Sequence, residues 1–118
     1  MEPFYRSWFA GWARGMARLT PKQRGAVLAE CGRACAAPEI LPLYRQMLAE
    51  AKDAHGFFSA VNRDVDGVSV TAVEPGKIYD FTYSRCLCPL REEGGLTDGM
   101  LCECSRHSLQ WLMGELFP

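Results

Sequence analysis

The sequence lacks the features that would assign it at once to a membrane, secreted or nucleic-acid-binding class. No run approaches the roughly 18 apolar residues that a membrane-spanning helix needs. The N-terminus has no basic stretch followed by an apolar one, as a signal peptide would have. Neither sign of charge dominates, because 13 Lys and Arg residues stand against 14 Asp and Glu residues. We therefore expect a cytoplasmic protein with no membrane span and no nucleic-acid partner.

Familiar catalytic motifs are absent as well. The sequence has no glycine-rich phosphate-binding loop, no serine nucleophile elbow and no histidine-rich metalloprotease motif. Its 118 residues, 48% of them hydrophobic, suffice for one core and predict a single domain, residues 1–118. Cysteine, by contrast, is abundant, with six residues. In a compartment that keeps thiols reduced, that number favours metal binding or thiol chemistry over disulfides.

Apolar periodicity predicts three helices in the N-terminal half. The first spans residues 4–19, and its apolar stripe contains Phe4, Tyr5, Trp8, Phe9, Trp12, Met16 and Leu19. The stripe fits a face turned to the core or to a second copy of the chain. An aromatic ligand pocket and an interfacial helix are the alternatives. A homodimer through this helix and a small-molecule ligand are thus the expected partners.

The next two predicted helices have clear boundary signals. Thr20 and Gln23 form a capping box before a helix that ends at about Ala36. A third helix is predicted from residue 41 or 42 to His55, with Gly56 as its C-terminal cap. His55 would then be a favourable cation at the helix C-terminus.

Beyond the third helix the apolar period changes to two. Residues 68–73 and 78–84 alternate on either side of the Pro-Gly turn at residues 74–77, which predicts a β-hairpin. Residues 100–104 fit a short third strand, and Ser105 fits the N-cap of a last helix. The order of helices, hairpin and helix predicts an α+β fold.

Four cysteines form two Cys-x-Cys pairs, Cys86 with Cys88 and Cys102 with Cys104. In extended backbone the two sulfurs of a pair point to the same side, because side chains repeat every two residues. If the two segments are antiparallel neighbours, four thiolates converge as a tetrahedral Zn²⁺ site requires. We therefore predict zinc at these four residues. An iron–sulfur cluster is the weaker alternative, because the ferredoxin spacings are absent.

The remaining thiols, Cys31 and Cys35, are spaced i,i+4 on the second predicted helix and share one of its faces. Core packing is the simplest interpretation of this pair. The alternative is that this helix packs over the Cys-x-Cys pairs and adds both thiols to the metal site.

Thiol reactivity is a competing interpretation of the same cysteines. Arg85 precedes Cys86, and Arg106 and His107 follow Cys104. Cys104 would also stand at the start of the last helix, whose positive end lowers a thiol pKa. A redox sensor or enzyme would use such thiols, with His107 as a candidate base. The sequence identifies no definite catalytic residue, and an enzyme is the less favoured class.

Several of these motifs together are similar to those of a known family. They are Cys31-Gly-Arg-Ala-Cys35-Ala, Gly56-Phe-Phe-Ser, Tyr83-Ser-Arg-Cys-Leu-Cys-Pro89 and Leu101-Cys-Glu-Cys-Ser105. The chain resembles, over most of its length, a family of small uncharacterised bacterial cysteine-rich proteins. A weaker likeness links its last Cys-Ser-helix segment to ligand-sensing domains of the 4-vinyl reductase type. The resemblance implies cysteines that act together in a bacterial protein, and the second likeness implies a small ligand.

These observations favour a non-enzymatic, zinc-binding structural or small-ligand-binding module. A thiol-based redox sensor or enzyme is one alternative. A winged-helix-like DNA-binding regulator is another, because three helices followed by a hairpin is the element order of that fold. The net charge of −1 argues against the DNA-binding alternative.

Overall fold

The computed structural model describes residues 2–84, 88, 90 and 100–118. Its helices and antiparallel hairpin confirm the predicted α+β class. Whereas the sequence predicts one domain, contacts within the chain group its residues into two compact units. Unit 1 combines Met1–Pro38 with Cys88–Pro118, and unit 2 is Glu39–Leu87.

Unit 1 consists of three helices, α1 (Glu2–Ala17), α2 (Pro21–Ala36) and α5 (Met100–Leu116). The capping box before α2 is confirmed. The Thr20 hydroxyl accepts from the Gln23 amide at 3.2 Å, and the Gln23 side-chain oxygen accepts from the Thr20 amide at 3.0 Å. Two backbone donors that a helix start would leave unpaired are thereby satisfied.

The core of unit 1 forms around α2. Met16 of α1 and Leu28 of α2 are buried against each other, and the partly buried residues packed on them are Trp12, Leu19 and Cys104. The α1 stripe thus faces the core through its C-terminal half, as periodicity predicts. Its first two turns remain exposed.

The third strand predicted at residues 100–104 is wrong, because α5 already begins at Met100. Ser105 therefore lies within the helix and does not cap it. Alternation over five residues does not separate a strand from a helix. Longer-range packing decides between them here, since Cys104 continues the helical stripe that buries Leu112 and Leu116.

Unit 2 begins with two helices where the sequence predicts one. Helix α3 spans Ile40–Ala51, and helix α4 spans Ala54–Asp64. Lys52 ends α3 with a φ of 71°. Asp53 then caps α4, since its carboxylate accepts from the Gly56 amide at 2.7 Å.

Gly56 and His55 consequently occupy places other than those predicted. Gly56 lies in the first turn of α4, and an added Cβ there would stand 2.9 Å from the Ala51 carbonyl oxygen. Only glycine fits this close helix-to-helix corner. His55 lies at the N-terminal end of α4, so its predicted role as a C-terminal cation is wrong.

The predicted hairpin is confirmed as β1 (Val68–Glu74) and β2 (Ile78–Tyr83), which pair antiparallel with an irregularity near the turn. Helix α4 packs on this hairpin through aromatic contacts, with the Phe58 ring stacked on Tyr79 at 4.0 Å between centroids. Phe57 and Val61 are fully buried in unit 2. Burial of these side chains, at about 1.5–3 kcal/mol each, supplies much of the driving force for this unit.

Among the helices of the described residues, none combines the length and the apolar character needed to cross a bilayer.

Candidate functional site

Helices α2 and α5 approach each other closely at Gly32. A Cβ added to Gly32 would lie 2.7 Å from the amide nitrogen of Ser108 and 3.1 Å from the carbonyl oxygen of Cys104. The first distance is shorter than a Cβ atom tolerates and the second is tight, so the two backbones meet where glycine leaves room. This crossing brings the α2 thiols close to an α5 thiol.

Two side-chain contacts also join these helices. Arg24 pairs with Glu103 at 3.0 Å, and the Arg33 guanidinium lies 5.9 Å from the centroid of the Trp111 ring.

Cys31 and Cys35 lie on either side of Gly32 along α2. Both thiols are exposed, so the prediction that they pack in the core is wrong. The buried residues of this helix are Leu28, Gly32 and Ala36, which are spaced four residues apart. The two cysteines lie at the edge of that stripe, on one face of the helix as predicted.

Cys104 lies on the α5 face that meets α2, and it packs on the Met16–Leu28 core. Burial, and after it the neighbouring thiols Cys31, Cys35 and Cys88, raise the pKa of its thiol to about 11. Burial, and then Cys88, also raises the pKa of Cys35. The thiols of Cys31, Cys35 and Cys88 are therefore near enough to Cys104 to affect its ionisation.

Cys102, in contrast, is exposed on the same helix. Successive helical residues turn by about 100°, so Cys102 and Cys104 point about 160° apart. The predicted convergence of this Cys-x-Cys pair on one ion relied on extended backbone, and the helical backbone removes its basis. Cys86 and Arg85 lie outside the described residues, so the predicted partner pair is known only at Cys88.

The predicted activation of Cys104 by a helix N-terminus is also wrong. Cys104 stands more than one turn inside α5, where burial outweighs any dipole effect and raises its pKa. Arg106 is exposed, and the His107 ring lies against α2, within 3.7 Å of a Cβ built on Gly25. His107 is therefore part of the contact between α2 and α5. The sequence predicts it in the first turn of a helix that starts at Ser105, but α5 starts five residues earlier, at Met100.

The thiols stand near one another without yet forming a closed site. Within the part of the chain that is described, no three His, Cys, Asp or Glu side chains already stand at metal-binding positions. Two of the four thiols are exposed and able to change rotamer at low cost, whereas Cys104 is held by the core.

Unit 2 contains a polar contact that sequence patterns do not show. The Tyr79 hydroxyl lies 2.9 Å from His55 Nδ1 and accepts from the Gly76 amide at 2.6 Å. Because the phenol accepts from Gly76, its proton is free to go to His55. The contact joins the N-terminus of α4 to the hairpin turn. The contact requires His55 to lie at the start of α4, whereas the sequence predicts it at the end of α3.

Comparison with known proteins does not assign a family or a function to this chain. No protein-family model, no curated protein and no solved structure matches this chain.

Proposed function

We propose that the chain is a zinc-binding protein in which Cys31, Cys35, Cys88 and Cys104 hold the ion. One observation carries this proposal: α2 and α5 cross closely at Gly32, and the exposed thiols of Cys31 and Cys35 are near enough to Cys104 to raise its pKa. Two of these ligands, Cys88 and Cys104, also belong to the set predicted from the sequence. The other two, Cys31 and Cys35, replace Cys86 and Cys102 and are predicted from the sequence only as additional ligands.

The chemistry of the four groups suits a d¹⁰ cation. Two side chains spaced i,i+4 on a helix are the standard pair of ligands that a helix presents to zinc. A third thiol comes from the facing helix, and Cys88 completes a tetrahedron with Zn–S distances of about 2.3 Å. Soft thiolates select Zn²⁺ over Mg²⁺ or Ca²⁺. Cytoplasmic reducing conditions would keep these thiols available.

Electrostatics in the metal-free state support the same conclusion. Burial first, and neighbouring thiols second, raise the pKa values of Cys35 and Cys104. A divalent cation converts that mutual repulsion into attraction and deprotonates the thiols outright. Four thiolates also leave no open coordination position for substrate or water. The proposed zinc is therefore structural, and it fastens α2 to α5.

The test is metal content in matched cysteine variants. Protein purified under reducing conditions without chelator should contain about one zinc ion per chain. Cys104→Ser and Cys35→Ser should lose the metal, whereas Cys102→Ser, on the opposite side of α5, should retain it. Far-UV circular dichroism checks that each variant folds. Cobalt substitution gives a second measurement, because thiolate-to-cobalt absorption reports the ligands directly.

Three results would overturn the proposal. Equal metal loss in Cys102→Ser and Cys104→Ser would favour the paired Cys-x-Cys ligands. Iron with inorganic sulfide would indicate a cluster. Six titratable thiols with no metal, even after incubation with zinc, would leave thiol chemistry as the better explanation.

The two alternatives from the sequence have less support. A redox sensor needs a low-pKa thiol, and burial raises the pKa of both Cys35 and Cys104. A winged-helix regulator needs a basic hairpin. Within β1, β2 and their turn, Lys77 is the basic residue, it pairs with Glu74 at 3.5 Å, and Asp80 adds a further negative charge. Such a hairpin repels phosphate.

A further inference from the structure

The four proposed zinc ligands differ in their access to solvent. Cys31 and Cys35 are exposed, whereas Cys104 is half-buried and packs on the Met16–Leu28 core. A small oxidant dissolved in water therefore meets the α2 thiols first. Peroxide reacts with the thiolate form of cysteine, and a bound cation keeps its ligand thiols deprotonated. The zinc-bound site would thus present reactive sulfur at its exposed side.

Cys31 is the exposed thiol that adjoins the helix crossing. It immediately precedes Gly32, and a Cβ built on Gly32 would lie 3.1 Å from the carbonyl oxygen of Cys104. Consecutive Cα atoms are about 3.8 Å apart, so Cys31 is one residue away from this backbone contact. Among the thiols that raise the pKa of Cys104 after burial, Cys31 contributes most. The backbone contact and the electrostatics both indicate Cys31 as the partner thiol for Cys104.

A disulfide within α2 is the less favourable pairing. The Cβ atoms of helical residues four apart, such as Cys31 and Cys35, are separated by about 5–6 Å. A disulfide needs a Cβ separation of about 3.5–4.5 Å, so this pair could close only by distorting the helix. A bond between α2 and α5 leaves the helical turn between Cys31 and Cys35 intact.

We propose that peroxide oxidises this site to a disulfide between Cys31 and Cys104 and thereby expels the zinc ion. This inference rests on the proposed function, because it concerns the same four ligands. An ion left with Cys35 and Cys88 alone has lost half of its ligands, and structural zinc sites hold the ion with four. Oxidation would therefore replace the metal that fastens α2 to α5 with a covalent bond.

The reaction takes two steps and balances with hydrogen peroxide as the oxidant. The Cys31 thiolate attacks one peroxide oxygen, so that an S–O bond forms, the O–O bond breaks and hydroxide leaves. The Cys104 thiolate then attacks the Cys31 sulfur, so that the S–S bond forms, the S–O bond breaks and a second hydroxide leaves. Two protons from solution convert the hydroxides to water. The two thiolates are oxidised by two electrons, and the peroxide is reduced to water.

The experiment treats the zinc-loaded full chain with hydrogen peroxide and follows metal and thiols together. A chromophoric zinc chelator should report about one ion released per chain, and the six titratable thiols should fall to four. Mass spectrometry of alkylated peptides should locate the new bond between Cys31 and Cys104. Reduction, followed by addition of zinc, should restore the metal site.

Two variants provide the comparison. Cys102→Ser replaces an exposed thiol outside the proposed ligand set, so it should release zinc and form the disulfide as the wild type does. Cys31→His supplies a nitrogen ligand for zinc but no sulfur to oxidise. It should bind zinc and retain most of it at the peroxide concentration that empties the wild type. Circular dichroism checks that both variants fold.

The results distinguish this inference from the zinc site on which it rests. Zinc that stays bound through peroxide treatment, or that leaves while the new bond joins other cysteines, would overturn the disulfide and leave the zinc site standing. Release from Cys31→His as fast as from the wild type would do the same. A reduced protein that binds no zinc would overturn both.

Discussion

Gly32 of α2 lies directly against Ser108 of α5, close enough that a Cβ on Gly32 would stand 2.7 Å from the Ser108 amide nitrogen. The atoms it would meet belong to backbone, which cannot turn aside as a flexible side chain can. The helices can approach this closely, and bring their thiols this near, because residue 32 has no side chain.

The first prediction concerns this contact. Gly32→Ala should destabilise the protein by about 2 kcal/mol, because the added methyl group forces the helices apart. Gly15→Ala is the matched control, since nothing lies within 4 Å of its added Cβ and alanine favours a helix. That control should stabilise the protein by about 0.5–1 kcal/mol. Urea unfolding measures both, and equal effects would contradict the close crossing.

The second prediction concerns Tyr79. Tyr79→Phe should cost about 1 kcal/mol, because the Gly76 amide and His55 lose a hydrogen-bond partner while the ring still stacks on Phe58. Tyr5→Phe removes a hydroxyl from an exposed ring and should have little effect. Denaturant midpoints of the two variants give the comparison. A loss as small for Tyr79 as for Tyr5 would show that the contact contributes no stability.

The third prediction concerns alkaline pH. Burial, with a smaller contribution from Tyr83, raises the pKa of Tyr44 from 10.0 to about 12. The folded state therefore holds this proton more tightly than the unfolded state. Its contribution to stability is complete below pH 10 and is lost as the pH rises from 10 towards 12. Tyr44→Phe should lose less stability over that range.

Absorbance at the phenolate band provides a direct check on the same residue. The difference between wild type and Tyr44→Phe isolates one phenol, which should ionise late in folded protein and near its ordinary pKa in urea. Ionisation at the same pH in both states would contradict the burial of its hydroxyl.

The fourth prediction concerns the pH dependence of zinc affinity. Because the Cys35 and Cys104 pKa values are raised, their thiols are protonated at neutral pH, and the metal has to displace the protons. Affinity should therefore fall as the pH falls, by up to about tenfold per unit for each proton released. Cys102→Ser should keep the wild-type slope, because its thiol is not among the proposed ligands. A competition assay with a chromophoric chelator measures both.

Local signals in the sequence were sufficient for part of the fold. The Thr20–Gln23 capping box fixed the start of α2, and the Pro-Gly turn with flanking alternation fixed the hairpin. Both signals depend on residues that contact their sequence neighbours. The break between α3 and α4 escaped prediction because Lys52 adopts a positive φ, which few non-glycine residues do.

The thiol site could be predicted only in part. That Cys31 and Cys35 share a face follows from helical spacing, and the sequence also allows a site that unites them with other cysteines. The conformation of Cys102 and Cys104 was not predictable, because a five-residue alternation fits strand and helix equally. What decides it is packing against Leu28 and Gly32, residues more than 70 positions away.

The division of unit 1 into two distant segments has a consequence for biosynthesis. Met1–Pro38 and Cys88–Pro118 form one unit, with all of Glu39–Leu87 between them. On the ribosome, α2 emerges long before α5, so the α2 surface around Gly32 that packs on α5 stays uncovered while the middle of the chain is made. The continuous middle segment is able to fold first. The nascent chain thus passes through a stage in which unit 2 is able to be folded while unit 1 is incomplete. At that stage the uncovered apolar surface of α2 would bind holdase chaperones.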